Sequence, residues 1–70
     1  MSSTQPEHKY TIILVTPGFG TGDTGVYADD MRGAHTAMRI YGQESFTPQK
    51  WLGIWDNEKD EWAELPNILI

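Results

Sequence analysis

The sequence predicts an α+β fold, in which a single helix packs on a small antiparallel or mixed sheet with the element order β-(β)-α-β-β. Three observations predict this class. They are a β-branched apolar run near the start, an amphipathic stretch that follows two aspartates, and two tryptophan-containing strand segments separated by a polar turn.

The chain of 70 residues is long enough for one domain. Residues 1–8 are polar, so we assign them to a flexible N-terminal arm and residues 9–70 to the domain. A domain of this size buries only about 60% of the surface that its unfolded chain exposes. Because the sequence contains no cysteine, disulfides and thiolate metal sites are excluded, which leaves an efficient core or self-association to stabilise the fold.

The first strand is predicted at residues 10–16, a β-branched and aromatic run that ends before Pro17. Its apolar residues are consecutive rather than alternating, which is typical of a strand covered on both faces. Residues 17–25 hold four of the 7 glycines and predict a flexible loop. Residues 26–28 predict a short second strand that pairs back on the first.

A helix is predicted from Asp29 or Asp30, either of which can cap it, to about Ile40 or Tyr41. Gly42 stands where a left-handed residue is expected to end the helix. Spacing at 100° per residue, the α-helical periodicity, gathers small and apolar side chains into one stripe. That stripe consists of Ala34, Ala37, Met38 and Tyr41.

Residues 51–55 and 61–65 predict two strands of a hairpin, in which Trp55 lies opposite Trp62. The tryptophans then share one face of the sheet, and the aliphatic residues share the other. Because several side chains of the helix stripe are small, we expect the bulky tryptophans to pack beneath the helix. The aliphatic face of the sheet is then left without cover. We therefore expect a homodimer or partner interface on that face, formed by Leu52, Ile54, Leu65, Ile68 and Ile70. The alternative is that the tail or the glycine loop closes this face within one chain.

Ten acidic residues against five basic ones give a net charge of −5. Such a chain repels phosphates and anionic lipids, so direct binding to nucleic acid or membranes is disfavoured. No apolar run approaches the roughly 20 residues of a membrane span, and the first residues lack the pattern of a secretory signal. We expect a cytoplasmic protein.

Motifs for catalysis or cofactor binding are weak. Residues 20–25 match G-x-G-x-x-G, but they do not lead directly into a helix. Residues 56–61 match a calcium loop only in part, because Glu61 stands where glycine is required. His35 has no nucleophile or carboxylate at a fixed spacing, so we predict no enzyme activity, no cofactor and no metal.

Two charged surfaces are candidates for partner binding. Carboxylates concentrate around the hairpin, at Asp56, Glu58, Asp60, Glu61 and Glu64. Arg32 and Arg39 lie on the helix face opposite the apolar stripe. The competing interpretation of both is a solvated surface that protects sheet edges and keeps the protein soluble.

In length, acidity and lack of cysteine, the chain resembles the small inhibitors that bacteriophages and other mobile elements encode. The resemblance implies a non-catalytic protein that blocks a host enzyme or a nucleic-acid-handling defence complex, in the host cytoplasm if the chain is viral. The carboxylates around the hairpin predict a basic groove on that partner. The alternatives are a small-ligand or nucleotide-binding module that uses the Gly18–Gly25 loop, and an accessory subunit of a larger assembly.

Overall fold

The computed structural model describes residues 8–69 and confirms the α+β fold: a helix packs on a four-stranded antiparallel sheet of order β2-β1-β3-β4. The elements are β1 (Tyr10–Thr16), β2 (Gly20–Ala28), α1 (Met31–Ser45), β3 (Leu52–Asp56) and β4 (Glu61–Glu64). Short 3₁₀ turns at Gln49–Trp51 and Asn67–Leu69 precede β3 and follow β4. Within residues 8–69, no helix has the length and hydropathy that a bilayer crossing requires.

The N-terminal arm was assigned to residues 1–8, and residues 1–7 lie outside the described part of the chain. His8 is described, and its imidazole stacks on the ring of Tyr27 with centroids 5.3 Å apart. Its Nδ1 lies 3.1 Å from the Asp29 carboxylate. His8 is therefore packed against the end of β2.

The glycine-rich segment forms strand β2, so the prediction of a flexible loop over residues 17–25 is wrong. A tight turn at 17–19 connects the two strands, with the Phe19 N–H donating to the Thr16 carbonyl at 2.9 Å. Gly18 and Gly20 have φ values of +84° and +102°, a backbone region open to glycine. The glycines thus permit the turn and the start of a long strand, rather than a loop.

A bulge interrupts β2 opposite Ile12, because the pairing passes from Thr11 with Tyr27 directly to Ile13 with Asp23. The Thr24 hydroxyl donates to the Ile12 carbonyl at 2.7 Å and satisfies an acceptor that the ladder leaves unpaired. The bulge therefore places Asp23 beside Ile13 on the sheet.

The start of α1 confirms the predicted cap, since the Gly33 N–H donates to the Asp30 carboxylate at 2.6 Å. The predicted end is wrong. Gly42 is a buried helical residue, and the helix continues to Ser45. The Gln49 amide, which donates to the carbonyls of Met38 and Arg39 at 3.3 Å each, occupies the space that a Cβ at position 42 would need. Gly42 therefore serves packing, not termination.

The core lies between α1 and the aliphatic face of the sheet, where Ile12, Ala34 and Ile54 are each 0% exposed. Tyr10 and Leu52 complete this cluster. The expectation that the tryptophan face would lie beneath the helix is wrong. Small residues on α1 permit close approach, and Ala34 uses it to pack on Ile12 and Ile54, which pair across β1 and β3.

Phe46 ends α1 in the left-handed conformation, with φ of 56° and its N–H donating to the Gly42 carbonyl. Its side chain is 94% exposed. A β-substituted residue is strained in this conformation, in which glycine is usual at helix ends.

We expect Phe46→Gly to raise the free energy of unfolding by about 1 kcal/mol, because it removes the left-handed strain and no buried contact. Denaturant unfolding of purified protein measures the change. Phe46→Ala keeps the strain and should stay within about 0.5 kcal/mol of the parent. A large loss in Phe46→Ala would show instead that the phenyl group packs on the chain.

Candidate functional site

The sheet face turned away from α1, here called the open face, carries the tryptophans of the hairpin. Trp55 and Trp62 pair across β3 and β4, as predicted, with ring centroids 5.3 Å apart and planes at 81°. This edge-to-face geometry is favourable for aromatic pairs. Both indoles are half-buried, so part of each remains available for contact.

A groove of about 350 Å³ runs over the open face beside these indoles. Its lining combines aromatic, aliphatic and oxygen-bearing side chains and includes one carboxylate and no cation. The lining residues are Thr11, Ile13, Thr21, Asp23, Trp55, Asn57 and Trp62.

The strand register fixes the layout of this groove. Ile13 pairs with Asp23 of β2 on one side and with Gly53 of β3 on the other. The backbones of Asp23 and Gly53 are therefore roughly 10 Å apart, two strand spacings. The Trp62 ring lies over Gly53, so a carboxylate and an indole flank Ile13.

The segment after β4 covers part of the open face. Pro66 is fully buried, and a Cβ built on Gly53 would lie 2.7 Å from its Cδ and 2.8 Å from the Trp62 ring. Glycine at position 53 therefore sets the depth at which the proline and the indole rest on the sheet. The chain closes this end of the face by itself, and the groove lies beyond it.

We expect Gly53→Ala to lower the free energy of unfolding by about 1–3 kcal/mol, because the added methyl displaces Pro66 and Trp62. Denaturant unfolding followed by tryptophan fluorescence measures both the loss and the changed indole environment. Gly22→Ala is the matched control, since a Cβ there meets nothing within 4 Å. Equal stability of the two variants would contradict the described packing.

The hairpin turn is organised by Asp56, which is 4% exposed. Its carboxylate accepts from the N–H groups of Glu58 and Lys59, at 2.9 and 3.0 Å. Predicted as a contact for a partner, Asp56 is instead an internal turn cap, because it is buried and its Oδ1 already accepts from two backbone N–H groups. We therefore do not include Asp56 among the candidate partner contacts.

We expect Asp56→Ala to cost about 1–3 kcal/mol of unfolding free energy, because two backbone donors lose their acceptor. Asp56→Asn keeps an acceptor oxygen and should cost less. Glu61→Ala removes an exposed carboxylate and should change stability by under about 0.5 kcal/mol. Thermal unfolding compares the three, and an Asp56→Ala variant as stable as the parent would contradict the capping role.

Exposed carboxylates remain at the tip of the hairpin: Glu58, Asp60 and Glu61. We call these three the acidic tip. Lys9 approaches the Glu58 carboxylate at 3.9 Å. The pKa of Lys9 is raised by the Tyr10 side chain and, less strongly, by Glu58, so Lys9 stays charged at neutral pH. At this distance and exposure the pair neutralises the acidic tip only weakly.

Glu64 lies apart from the acidic tip, since its carboxylate contacts His35 Nε2 at 2.9 Å across α1 and β4. Sequence spacing gave no partner for His35, because the two residues are 29 positions apart. Both side chains are substantially exposed, and exposed pairs of this kind contribute about 0–1 kcal/mol. The pair is thus a surface contact between helix and sheet.

Arg32 and Arg39 are exposed on α1. Because α1 covers the face opposite the open face, the two arginines and the groove belong to different sides of the molecule. The structure does not bring the two predicted charged surfaces together.

The predicted apolar interface is also divided. Leu52 and Ile54 are core residues beneath α1, so their assignment to an exposed interface is wrong. Leu65 is exposed and Ile68 is half-buried. Ile70 lies outside the described residues.

Asp23 and Thr21 are not among the predicted site residues, because the sequence pattern places them in a loop. Their alternation with Gly20 and Gly22 is the two-residue period of a strand, and it was the signal available in the sequence. In the strand, both side chains line the groove.

Within residues 8–69, no group of three or more histidine or acidic side chains is arranged to hold a metal ion. No protein-family model, curated protein sequence or solved structure matches this chain. The residues of the chain therefore carry the functional inference on their own.

Proposed function

We propose that this protein is a non-catalytic interaction protein that binds a basic surface of a protein partner. The observation that carries the proposal is the open face, where half-buried Trp55 and Trp62 border a groove with one carboxylate and no lining cation. Tryptophan is enriched at the energetic centres of protein interfaces. The net charge of −5 adds a long-range attraction for a cationic partner.

The acidic tip belongs to the same proposal. Glu58, Asp60 and Glu61 project beside the tryptophan hairpin and are exposed. Carboxylates at the rim of an interface mainly raise the association rate and fix orientation. The aromatic groove then supplies the apolar contact that slows dissociation.

The partner we propose is an enzyme or defence complex with a basic groove for nucleic acid, the class implied by the resemblance to small mobile-element inhibitors. Carboxylates in such a groove occupy positions that phosphates otherwise take. The bound protein therefore excludes the nucleic acid without any chemical step. Both the inhibitory role and a cytoplasmic setting are part of this proposal.

A second candidate, an accessory subunit or homodimer held by apolar contacts, is favoured by a different observation. Phe19 and Phe46 are 89% and 94% exposed. A second groove of about 310 Å³, lined by Val26, Ala37, Ile40, Tyr41 and Glu44, lies on the helix side. Exposed apolar side chains and an apolar groove favour association that salt does not weaken.

We expect the affinity for the partner to fall as salt rises from about 50 to about 500 mM, because the attraction is electrostatic. The partner is captured from a lysate at low salt, identified by mass spectrometry, purified and titrated calorimetrically. The double variant Glu58→Gln/Glu61→Gln should lose roughly three- to tenfold in affinity. Asp29→Asn/Glu44→Gln removes the same charge away from the acidic tip and should lose less. Affinity that salt leaves unchanged would favour the accessory subunit and contradict the basic-surface proposal.

A further inference from the structure

The geometry points to a site for an arginine side chain of the partner in the groove of the open face, between Asp23 and the Trp55–Trp62 pair. This inference rests on the proposed function and names the group that the groove recognises. The occupant is a segment of a basic protein, and the argument for it is charge complementarity with the groove.

Asp23 supplies the charge. It is exposed, and its Oδ1 accepts from the Gly25 N–H at 2.6 Å, which fixes the carboxylate on the strand. Within residues 8–69, Oδ2 of this carboxylate makes no hydrogen bond. One oxygen is therefore held in place and the other can accept from a cationic donor.

The neutral oxygen atoms of the groove also favour a ligand that donates hydrogen bonds. The Asn57 amide nitrogen donates to the His8 carbonyl and to the Thr11 hydroxyl, at 3.1 and 2.7 Å. This arrangement orients the amide, and its oxygen makes no hydrogen bond within the described residues. Thr21 adds a hydroxyl to the lining. The polar atoms of the groove thus favour a ligand rich in donors.

The tryptophans favour arginine over lysine as the cationic side chain in the groove. Arginine is planar and weakly hydrated, carries five donors and stacks on aromatic rings, whereas the lysine ammonium is compact and strongly hydrated. The backbones of Asp23 and of Gly53, which lies under the Trp62 ring, are roughly 10 Å apart on either side of Ile13, two strand spacings. A guanidinium above Ile13 is within reach of the Asp23 carboxylate and the Trp62 ring, with its methylenes on the isoleucine.

The test uses three synthetic peptides that differ only at their central positions, which are arginine, lysine or citrulline. Citrulline has the shape of arginine without its charge. Two-dimensional NMR of the full chain follows the indole N–H signals of the three tryptophans. We expect the arginine peptide to shift Trp55 and Trp62 more than Trp51, to bind several-fold more tightly than the lysine peptide, and to outbind the citrulline peptide by about tenfold.

Asp23→Asn keeps the oxygen that accepts from Gly25 and should weaken arginine-peptide binding about tenfold. Glu44→Gln, which removes the same charge on the helix side, should leave it nearly unchanged. The indole shifts and the comparison of arginine with lysine need no variant, so they test the site even if Asp23→Asn unfolds.

Other outcomes separate this inference from the proposed function. Binding of the arginine peptide that depends on the acidic tip, with no indole shift and no effect of Asp23→Asn, overturns the arginine site but leaves the proposed function standing. No binding of any basic peptide or basic partner overturns both. Indole shifts that follow protein concentration alone identify a second copy on the open face and also overturn the arginine site.

Discussion

The packing of α1 on the aliphatic side of the sheet determines which side chains the opposite face of the sheet carries. Ile12 and Ile54 pair across β1 and β3, and Ala34 seats the helix on them with no exposed surface in any of the three. Once these side chains are buried, the alternation of the strands places the tryptophans on the opposite face. The strand register therefore determines both which residues form the core and which residues line the candidate site.

Glycine has a different physical role at each important position. Gly42 makes room for the Gln49 side chain, which donates to two carbonyls of the helix, and Gly53 lets Trp62 and Pro66 approach the sheet closely. Gly18 and Gly20 adopt backbone angles that form the first turn. In a chain of 70 residues, close approach of backbones and rings compensates for the small area that can be buried.

The tertiary structure, rather than the composition, determines the role of each acidic residue. Asp56 serves the turn and Glu64 contacts His35, while Asp23, far away in sequence, joins the tryptophan groove. A cluster of carboxylates in sequence was therefore an incomplete guide to the acidic surface. The surface proposed to bind a basic partner combines the tip of one hairpin with a strand of the other.

The sequence by itself determined the fold class, the first strand, a helix cap at Asp29 or Asp30 and the pairing of Trp55 with Trp62, because local patterns and turn spacing carry each of these. The structure then assigns the cap to Asp30. Only the tertiary structure decided which sheet face the helix covers, that Gly20–Gly25 is strand, and that Asp23 meets the tryptophan groove. These features depend on packing between residues distant in sequence. Both faces of β1 are apolar, so its hydrophobic pattern is the same whichever face is buried, and only the packing of α1 on Ile12 and Ile54 distinguishes the two faces.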